Sequence, residues 1–513
     1  MSETFSPTFV PGNIFSYTLF DGMDRSRPRR MMEGGQRTAL WSIKNGYIDW
    51  RGIIRSLPTI ARRPRTVSNP VFAAKFFDRD TLTWAERTPG GILLASQRGH
   101  NYGELYGGDE SPSLAYYRGK IISTVAGQLM VAYDGARWLQ INNDIRGGFA
   151  VPVQRRLAVG GFLDEPTVVK FSRVDNEEVF PAQETEGEAD PQRASFIDIQ
   201  NILGSADRVT ALGSFEINRL VIFTADQALI YVIDPSVTQW TIDQRANIRI
   251  GAISHAAVMN AGSDLLYASR FGFHAVTRTD LNAIQSVTLS TKIERLWRRL
   301  VRQTPNLERV SGVYDPDLGL AHIFFPNPSG VGATRLTCNL AGGYDNLTWT
   351  TGDFANLYCG DALAGQTIFG GAGGLYDQLV EDLTPSEIAD AKGIRGNLDI
   401  ETGVLWMTAP DIQKQSEKLI IRASGKGRLR IFVYDENGNE KGSHLVEIEG
   451  EDDTDDAFPI LTLEDQYRVD FNYTFRGIQL RFVSEGDGDI QLVSFDIKLA
   501  QTTQIPVTDR RRR

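Results

Sequence analysis

The sequence predicts an all-β chain: a β-propeller of about six or seven blades and a C-terminal β-sandwich-like module, with two short helices. Three observations predict it. A strand–turn–strand unit with an aromatic label recurs: Leu129–Tyr133 turns through Asp134-Gly135 into Trp138–Ile141, and Leu220–Phe223 turns into Leu229–Ile233. Leu265–Tyr267 turns through Phe271-Gly272 into Phe273–Val276, and Ile368-Phe369 turns into Leu375-Tyr376. The spacing is the second observation. Leu129 to Leu220 is 91 residues, about twice the 45 from Leu220 to Leu265, and a strand period near 45 is the mark of a propeller blade. The third is composition. Forty-nine glycines open tight turns and 26 phenylalanines suit a pleated, half-buried surface.

Taken in order, residues 1–38 read as an N-terminal arm. They hold three prolines, turns at Pro11-Gly12 and Asp21-Gly22, and the basic run Arg25-Ser26-Arg27-Pro28-Arg29-Arg30. Such an arm wraps a neighbouring subunit or frays as a free end. Residues 39–395 read as the propeller, with strand-like runs such as Ala39–Ile43, Gly91–Ala95 and Lys120–Val125. Asp80, Asp134 and Asp345 each stand four residues before a tryptophan (Trp84, Trp138 and Trp349). There the carboxylate is expected to cap a turn and the indole to plug the gap between sheets.

Two helices interrupt this texture. Ile293, Leu296, Trp297, Leu300 and Val301 share one helical face after Ser290, and Thr384-Pro385-Ser386-Glu387 is a capping box leading into Ile388–Lys392. The first helix stretches the interval from Leu265 to Leu320 to 55 residues. The stretch Asp175–Arg193 carries seven acidic residues and reads as a solvated, projecting loop. Residues 396–500 form a compact series of strands, among them Lys418–Ala423, Arg428–Tyr434, Tyr467–Tyr473 and Ile490–Lys498, with hairpin turns at Asn437-Gly438 and Asp487-Gly488. Residues 501–513 are a basic tail ending in Arg510-Arg511-Arg512-Arg513.

Charge and cysteine content narrow the function. The net charge is −10, which opposes a protein whose task is to grip nucleic acid but suits one that lets it pass. Two cysteines, Cys338 and Cys359, exclude a disulfide framework and lead us to expect folding in a reducing cytoplasm, and with no visible leader and no apolar stretch of some 18 residues no membrane span is expected. The five histidines, His100, His255, His274, His322 and His444, lack the spacing of a helical metal site. Asp435–Asn439 resembles a calcium loop only loosely, and a plain hairpin turn is the simpler reading. No phosphate loop, nucleophile elbow or His-Glu-x-x-His is present, so no catalytic residue, metal or cofactor is implied and the chain is expected not to be an enzyme.

The run Asp264–Val276, followed by Ile284-Gln285-Ser286 and the helix Ile293–Leu300, resembles the tail nozzle or hub proteins of short-tailed bacteriophages. The order of strands from Asp399 through Lys418–Ala423 and Tyr434 to Ile490–Lys498 is similar too. The resemblance touches about half the chain. It implies a virion protein of the tail: a homo-oligomeric ring, usually a hexamer, below the portal and its adaptor ring. Such a ring conducts and retains DNA without binding it specifically, and carries tail fibres or a needle. Arg25, Arg27, Arg29, Arg30, Arg510, Arg511, Arg512 and Arg513 are the candidate partner contacts. Two alternatives stand beside it: a glycan-binding or polysaccharide-cleaving propeller, for which Asp315, Asp317, Asp353 and Asp361 are the carboxylates to place, and an intracellular protein-docking propeller.

Overall fold

The structure, a computed structural model, describes residues 14–500 except 28, 30–37, 50, 64–68, 106–111, 142–143, 185–189, 204–206, 244–247, 280–282, 330, 354–355, 364, 380–392, 408–412, 450–465 and 487–488. The chain forms two compact units. One runs from Ala61 to Arg335 and from 355 to Gln378; the other takes the chain up to Ile60, residues 336–354 and the chain from Leu379 onward.

The first unit is the propeller. Five four-stranded antiparallel sheets follow one another in sequence, beginning at Val71, Ser113, Phe149, Ala211 and Val258. The hairpin Ser311–Asp315/Leu320–Pro326 opens a sixth blade, and Leu357–Leu363, Gln366–Gly371 and Gly374–Gln378 form a seventh. Strand Ile60–Arg62, from the other end of the unit, joins the last sheet beside Gly374–Gln378, and Arg63 N–H donates to Leu375 O at 3.0 Å. The innermost strands of consecutive blades are neighbours, and the seventh returns to the first. At that closure Asp361 accepts from Lys75 Nζ at 2.7 Å and from Phe76 N–H at 2.9 Å.

The period-2 alternation of each strand explains the stacking. In the fourth blade Leu212, Leu220 and Ile222 pack towards Val169 and Phe171 of the third. The intervening Ala211, Phe215, Val221 and Phe223 pack towards Leu265, Tyr267 and Val276 of the fifth. Both faces of a blade are therefore buried, and its strands read as continuous apolar runs. Backbones must also approach closely. A Cβ on Gly312 of the sixth innermost strand would lie 2.6 Å from Met259 Sδ of the fifth.

The second unit is a β-sandwich. One strand of 22 residues, Lys414–Asp435, runs through both sheets. Its first half pairs with Gln466–Asp470 and Ile490–Leu499, and its second half with Glu440–Glu449 and Ile478–Glu485. The partners change at Gly425-Lys426-Gly427, where Gly425 takes φ +90° and only glycine is unstrained. Lys418–Ala423 and Arg428–Tyr434, expected as separate strands, are therefore one.

The arm expected at residues 1–38 is in part core. Ile14–Tyr17 pairs with Ile490–Leu499, and Phe20–Met23 runs parallel to Thr38–Lys44. Phe20 and Met23 are fully buried. The boundary expected at 39 fails for the same reason: Thr38–Lys44 pairs with Asp399–Thr402 and lies in the sandwich unit. The helix expected at 293–301 is observed at Glu294–Gln303. The one at 388–392, the turn at Asp487-Gly488, most of the acidic run Glu447–Asp456 and the tail 501–513 lie outside the described residues. The acidic stretch from Asp175 is, where described, tied down rather than projecting: Phe180 is fully buried, Glu177 pairs with Lys120, and Arg173 pairs with Glu184 and with Asp190 at 3.1 and 2.7 Å.

Candidate functional site

The candidate site is the axial bore of the propeller. It is a cavity of about 490 Å³, lined by residues of six of the seven innermost strands, by the connection Arg208–Thr210 that leads into the remaining one, and by neighbouring connections and turns. That is space for roughly 16 waters, so duplex DNA, whose major groove alone is about 12 Å wide, cannot thread a single propeller.

His255 stands in the bore wall on a short 3-10 turn capped by a serine: Ser254 Oγ accepts from Ala256 N–H at 3.2 Å and donates to Glu308 O at 2.9 Å. The imidazole stacks on Phe149 with centroids 4.8 Å apart, and its Nδ1 accepts from Leu212 N–H at 3.4 Å. Burial among protein atoms pushes it down to about 4, so it is neutral at pH 7. The charged wall residues are paired. Asp361 holds Lys75, and Glu308 holds Arg208.

The carboxylates singled out for a hydrolase each serve a structural bond. Asp315 Oδ1 accepts from Asp317 N–H and Leu318 N–H, and its Oδ2 from Gln378 Nε2 at 2.5 Å. Asp317 accepts from Gly365 N–H at 3.0 Å. Asp353, in the sandwich unit, accepts from Asn45 Nδ2 at 3.2 Å.

The remaining histidines are dispersed. His100 meets Tyr133 Oη at 3.2 Å, and His274 bridges Ser269 Oγ at 2.8 Å and Thr288 Oγ1 at 3.2 Å. His322 stands edge-on to Phe369, and His444 meets Tyr473 Oη at 2.8 Å. Burial lowers His274 to about 4 and His322 well below its ordinary value. Among the described residues no three His, Cys, Asp or Glu side chains converge as a metal set. Cys338 and Cys359 are both buried free thiols. Asp435 Oδ1 accepts the Asn437 and Asn439 amides at 2.9 Å, closing the hairpin turn.

The arginines offered as partner contacts are occupied where they are described. Arg25 lies 4.3 Å over the Trp41 ring and donates to Trp41 O at 2.8 Å. Arg27 reaches Asp24 at 3.6 Å, and Arg29 pairs with Glu401. Arg30 and Arg510–Arg513 lie outside the described residues. Of the turn-capping aspartates, Asp134 behaves as expected, accepting from the amides of Ala136 and Arg137 at 2.9 and 2.8 Å. In the first blade the cap is Asp78, which accepts from Asp80 N–H, rather than Asp80 itself. His255 was passed over as a bore residue because its partners, Phe149 and Leu212, come from two other blades.

No family model matches this chain, and no curated protein matches it. Among solved structures it is similar to YCF48 from Cyanidioschyzon merolae, with 14% identity over 63% of this chain and 99% of that one, at a TM-score of 0.36. A second structure, YCF48 bound to D1 peptide, gives 14% identity over 64% and 96%, at 0.37. PorZ of the type-IX secretion system of Porphyromonas gingivalis gives 12% identity over 68% and 43%, at 0.37. At these identities and scores the likeness goes no further than the propeller class, and the blades are read from the strand pairing itself.

Proposed function

We propose that this chain is a structural subunit of a virion tail, a nozzle or hub protein of a short-tailed bacteriophage. Identical copies pack side by side into a closed ring, six in number, below the portal-adaptor ring, and DNA passes between copies rather than through a propeller. The observation that carries this reading is the order of modules. A propeller hairpin, Asp264–Ala268 with Phe273–Arg278, runs through Ile284–Thr288 into the helix Glu294–Gln303, and a sandwich pairs Ile14–Tyr17 with Ile490–Leu499. The small bore supports it, because a conduit for a duplex has to be built by several copies. A side-by-side contact between unlike surfaces closes into a ring when its rotation divides a full turn. The hydrolase alternative has less support, since Asp315, Asp317 and Asp361 are each committed to a turn or an ion pair.

Electron microscopy and native mass measurement of the purified protein test the proposal. A closed ring of six copies is expected. A strict monomer at micromolar concentration, missing also from purified virions, would overturn it.

A further inference from the structure

In an antiparallel propeller the turns between first and second and between third and fourth strands emerge on one face; the second-to-third turns and the blade-to-blade connections emerge on the other. Each face holds paired and unpaired arginines: on the first, Arg79 and Arg137 are exposed with no ion-pair partner among the described residues, and on the second Arg208 pairs with Glu308, but the second gathers most of its unpaired arginines on one helix and the turn beside it. On the first, Arg98 pairs with Asp78 at 3.5 Å, Arg118 with Asp175 at 3.7 Å, Arg155 with Asp175, and both Arg219 and Arg278 with Glu216. On the second, Arg249, Arg270, Arg295, Arg299 and Arg302 are exposed and have no ion-pair partner among the described residues.

Four exposed arginines lie on one helix. Glu294–Gln303 buries Leu296, Trp297 and Leu300 and turns Arg295, Arg298, Arg299 and Arg302 outward at helical spacing. Only Arg298 is answered, by Glu294 one turn away. The indole of Trp297 donates to Ser269 O at 3.0 Å and packs edge-on against Phe325, which seats the helix beside the turn carrying Arg270. Next to Arg270, Phe271 is 59% exposed. Just past the helix, Pro305–Leu307 border a surface cavity of about 600 Å³ that Arg208, Arg270 and Arg309 also line, with Glu308 as its carboxylate.

We infer that this helix and the cavity beyond it form a contact surface for the phosphate backbone of nucleic acid. From Arg295 to Arg302 the stripe is roughly 10 Å long, a length over which duplex DNA presents about six phosphates. The guanidinium fork binds such oxygens bidentately. An exposed aromatic ring beside an unpaired arginine offers a stacking face to an unpaired base, which an acidic protein surface would leave unused. The chain as a whole is acidic at −10, so the patch acts locally and repulsion elsewhere keeps DNA moving. The identity of the polyanion rests on the conduit reading; the patch does not.

The test uses the full chain, a mixed-sequence 30-base-pair duplex and the matching single strand, with affinity read by fluorescence anisotropy between 50 and 200 mM salt. The triple variant Arg295→Gln, Arg299→Gln, Arg302→Gln keeps helix-forming side chains and is expected to keep its melting temperature. It should bind the duplex at least tenfold more weakly at about 100 mM salt, and its log–log salt slope should be shallower by about 2.7. Phe271→Ala should weaken the single-strand complex roughly tenfold and leave the duplex slope unchanged. Three results would overturn the inference: no binding by the unaltered chain, an unchanged slope in the triple variant, or polyaspartate competing as well as DNA at equal charge, which points to an acidic protein partner. Ring mass measured on the same samples separates the two proposals. Rings that ignore DNA sink only this one, and DNA-binding monomers sink only the ring.

Discussion

Buried titratable side chains set how this protein responds to pH. His255 and His274 are both held near 4 by burial, against 6.5 when free. Between those values the unfolded chain takes up protons that the folded chain refuses, so stability is full above about pH 6.5 and falls as pH drops towards 4. The fully buried His274 removes up to roughly 3 kcal/mol over that window, and His255, partly open to the bore, removes less. Urea titrations at pH 7, 5.5 and 4.5 should show the decline, and His274→Gln should flatten its share of it. Arg156 matters through its hydrogen bonds instead. It is fully buried, and its guanidinium donates to the carbonyls of Ser172, Arg193 and Pro235 at 2.7–2.8 Å. Arg156→Met leaves three acceptors orphaned and should cost roughly 3 kcal/mol or more in urea unfolding. Cys359, pushed up to about 12 by burial, should stay unmodified by thiol reagents until the propeller unfolds.

Elements are held by their seams with neighbouring blades. The chain reaches the fifth blade past Gly251, where an added Cβ would lie 1.9 Å from Thr224 O. Gly251→Ala must move backbone, and a loss of roughly 1–3 kcal/mol is expected in thermal or urea unfolding. The helix Glu294–Gln303 depends on Trp297, which is fully buried. Trp297→Ala should cost roughly 3–5 kcal/mol, and hydrogen exchange should rise first in residues 291–304. Hairpin phase is also an element-scale matter. Val131–Tyr133 with Trp138–Gln140 are the third and fourth strands of the second blade, whereas Arg219–Phe223 with Ala228–Val232 are second and third. The apparent double period between them compares unlike strands. Second strands actually begin at Leu82, Lys120, Arg156, Arg219, Asp264, Leu320 and Gln366, and the two wide gaps hold the tethered acidic loop and the helix.

At the scale of the whole molecule, strands drawn from near both termini, Ile14–Tyr17 and Ile490–Leu499 among them, build the sandwich. Phe15, Tyr17, Phe20 and Met23 share its core with Leu419, Ile431 and Phe495 or lie alongside them in buried strands. Removing residues 1–24 should therefore do more than prevent assembly. Four buried side chains at about 1.5–3 kcal/mol each amount to most of a typical domain's stability. The truncated chain is expected to lose the sandwich's cooperative melting transition. A chain that melts normally and merely fails to form rings would restore the arm reading.

The sequence by itself determined the propeller class, the strand-rich C-terminal module and the helix at Glu294. Leu220–Phe223 is apolar on both alternating faces, Asp134 stands beside a glycine that turns the chain, and Leu296, Trp297 and Leu300 recur at helical spacing. These are local signals, set by the period of the backbone and the chemistry of a few adjacent residues. Tertiary structure alone decided the rest. Phe20–Met23 is four residues long and contains Asp21-Gly22, so nothing in it announces a core strand; it becomes one by lying along Thr38–Lys44, which pairs with a strand some 360 residues further on. The bore exists only because the seventh blade meets the first, and it sets His255 against Phe149 across 106 residues of chain. Paired arginines became distinguishable from unpaired ones only once the fold had brought distant carboxylates such as Glu216 and Glu308 to Arg278 and Arg208. Burial and pairing belong to the closed ring, and a local window of sequence contains neither partner.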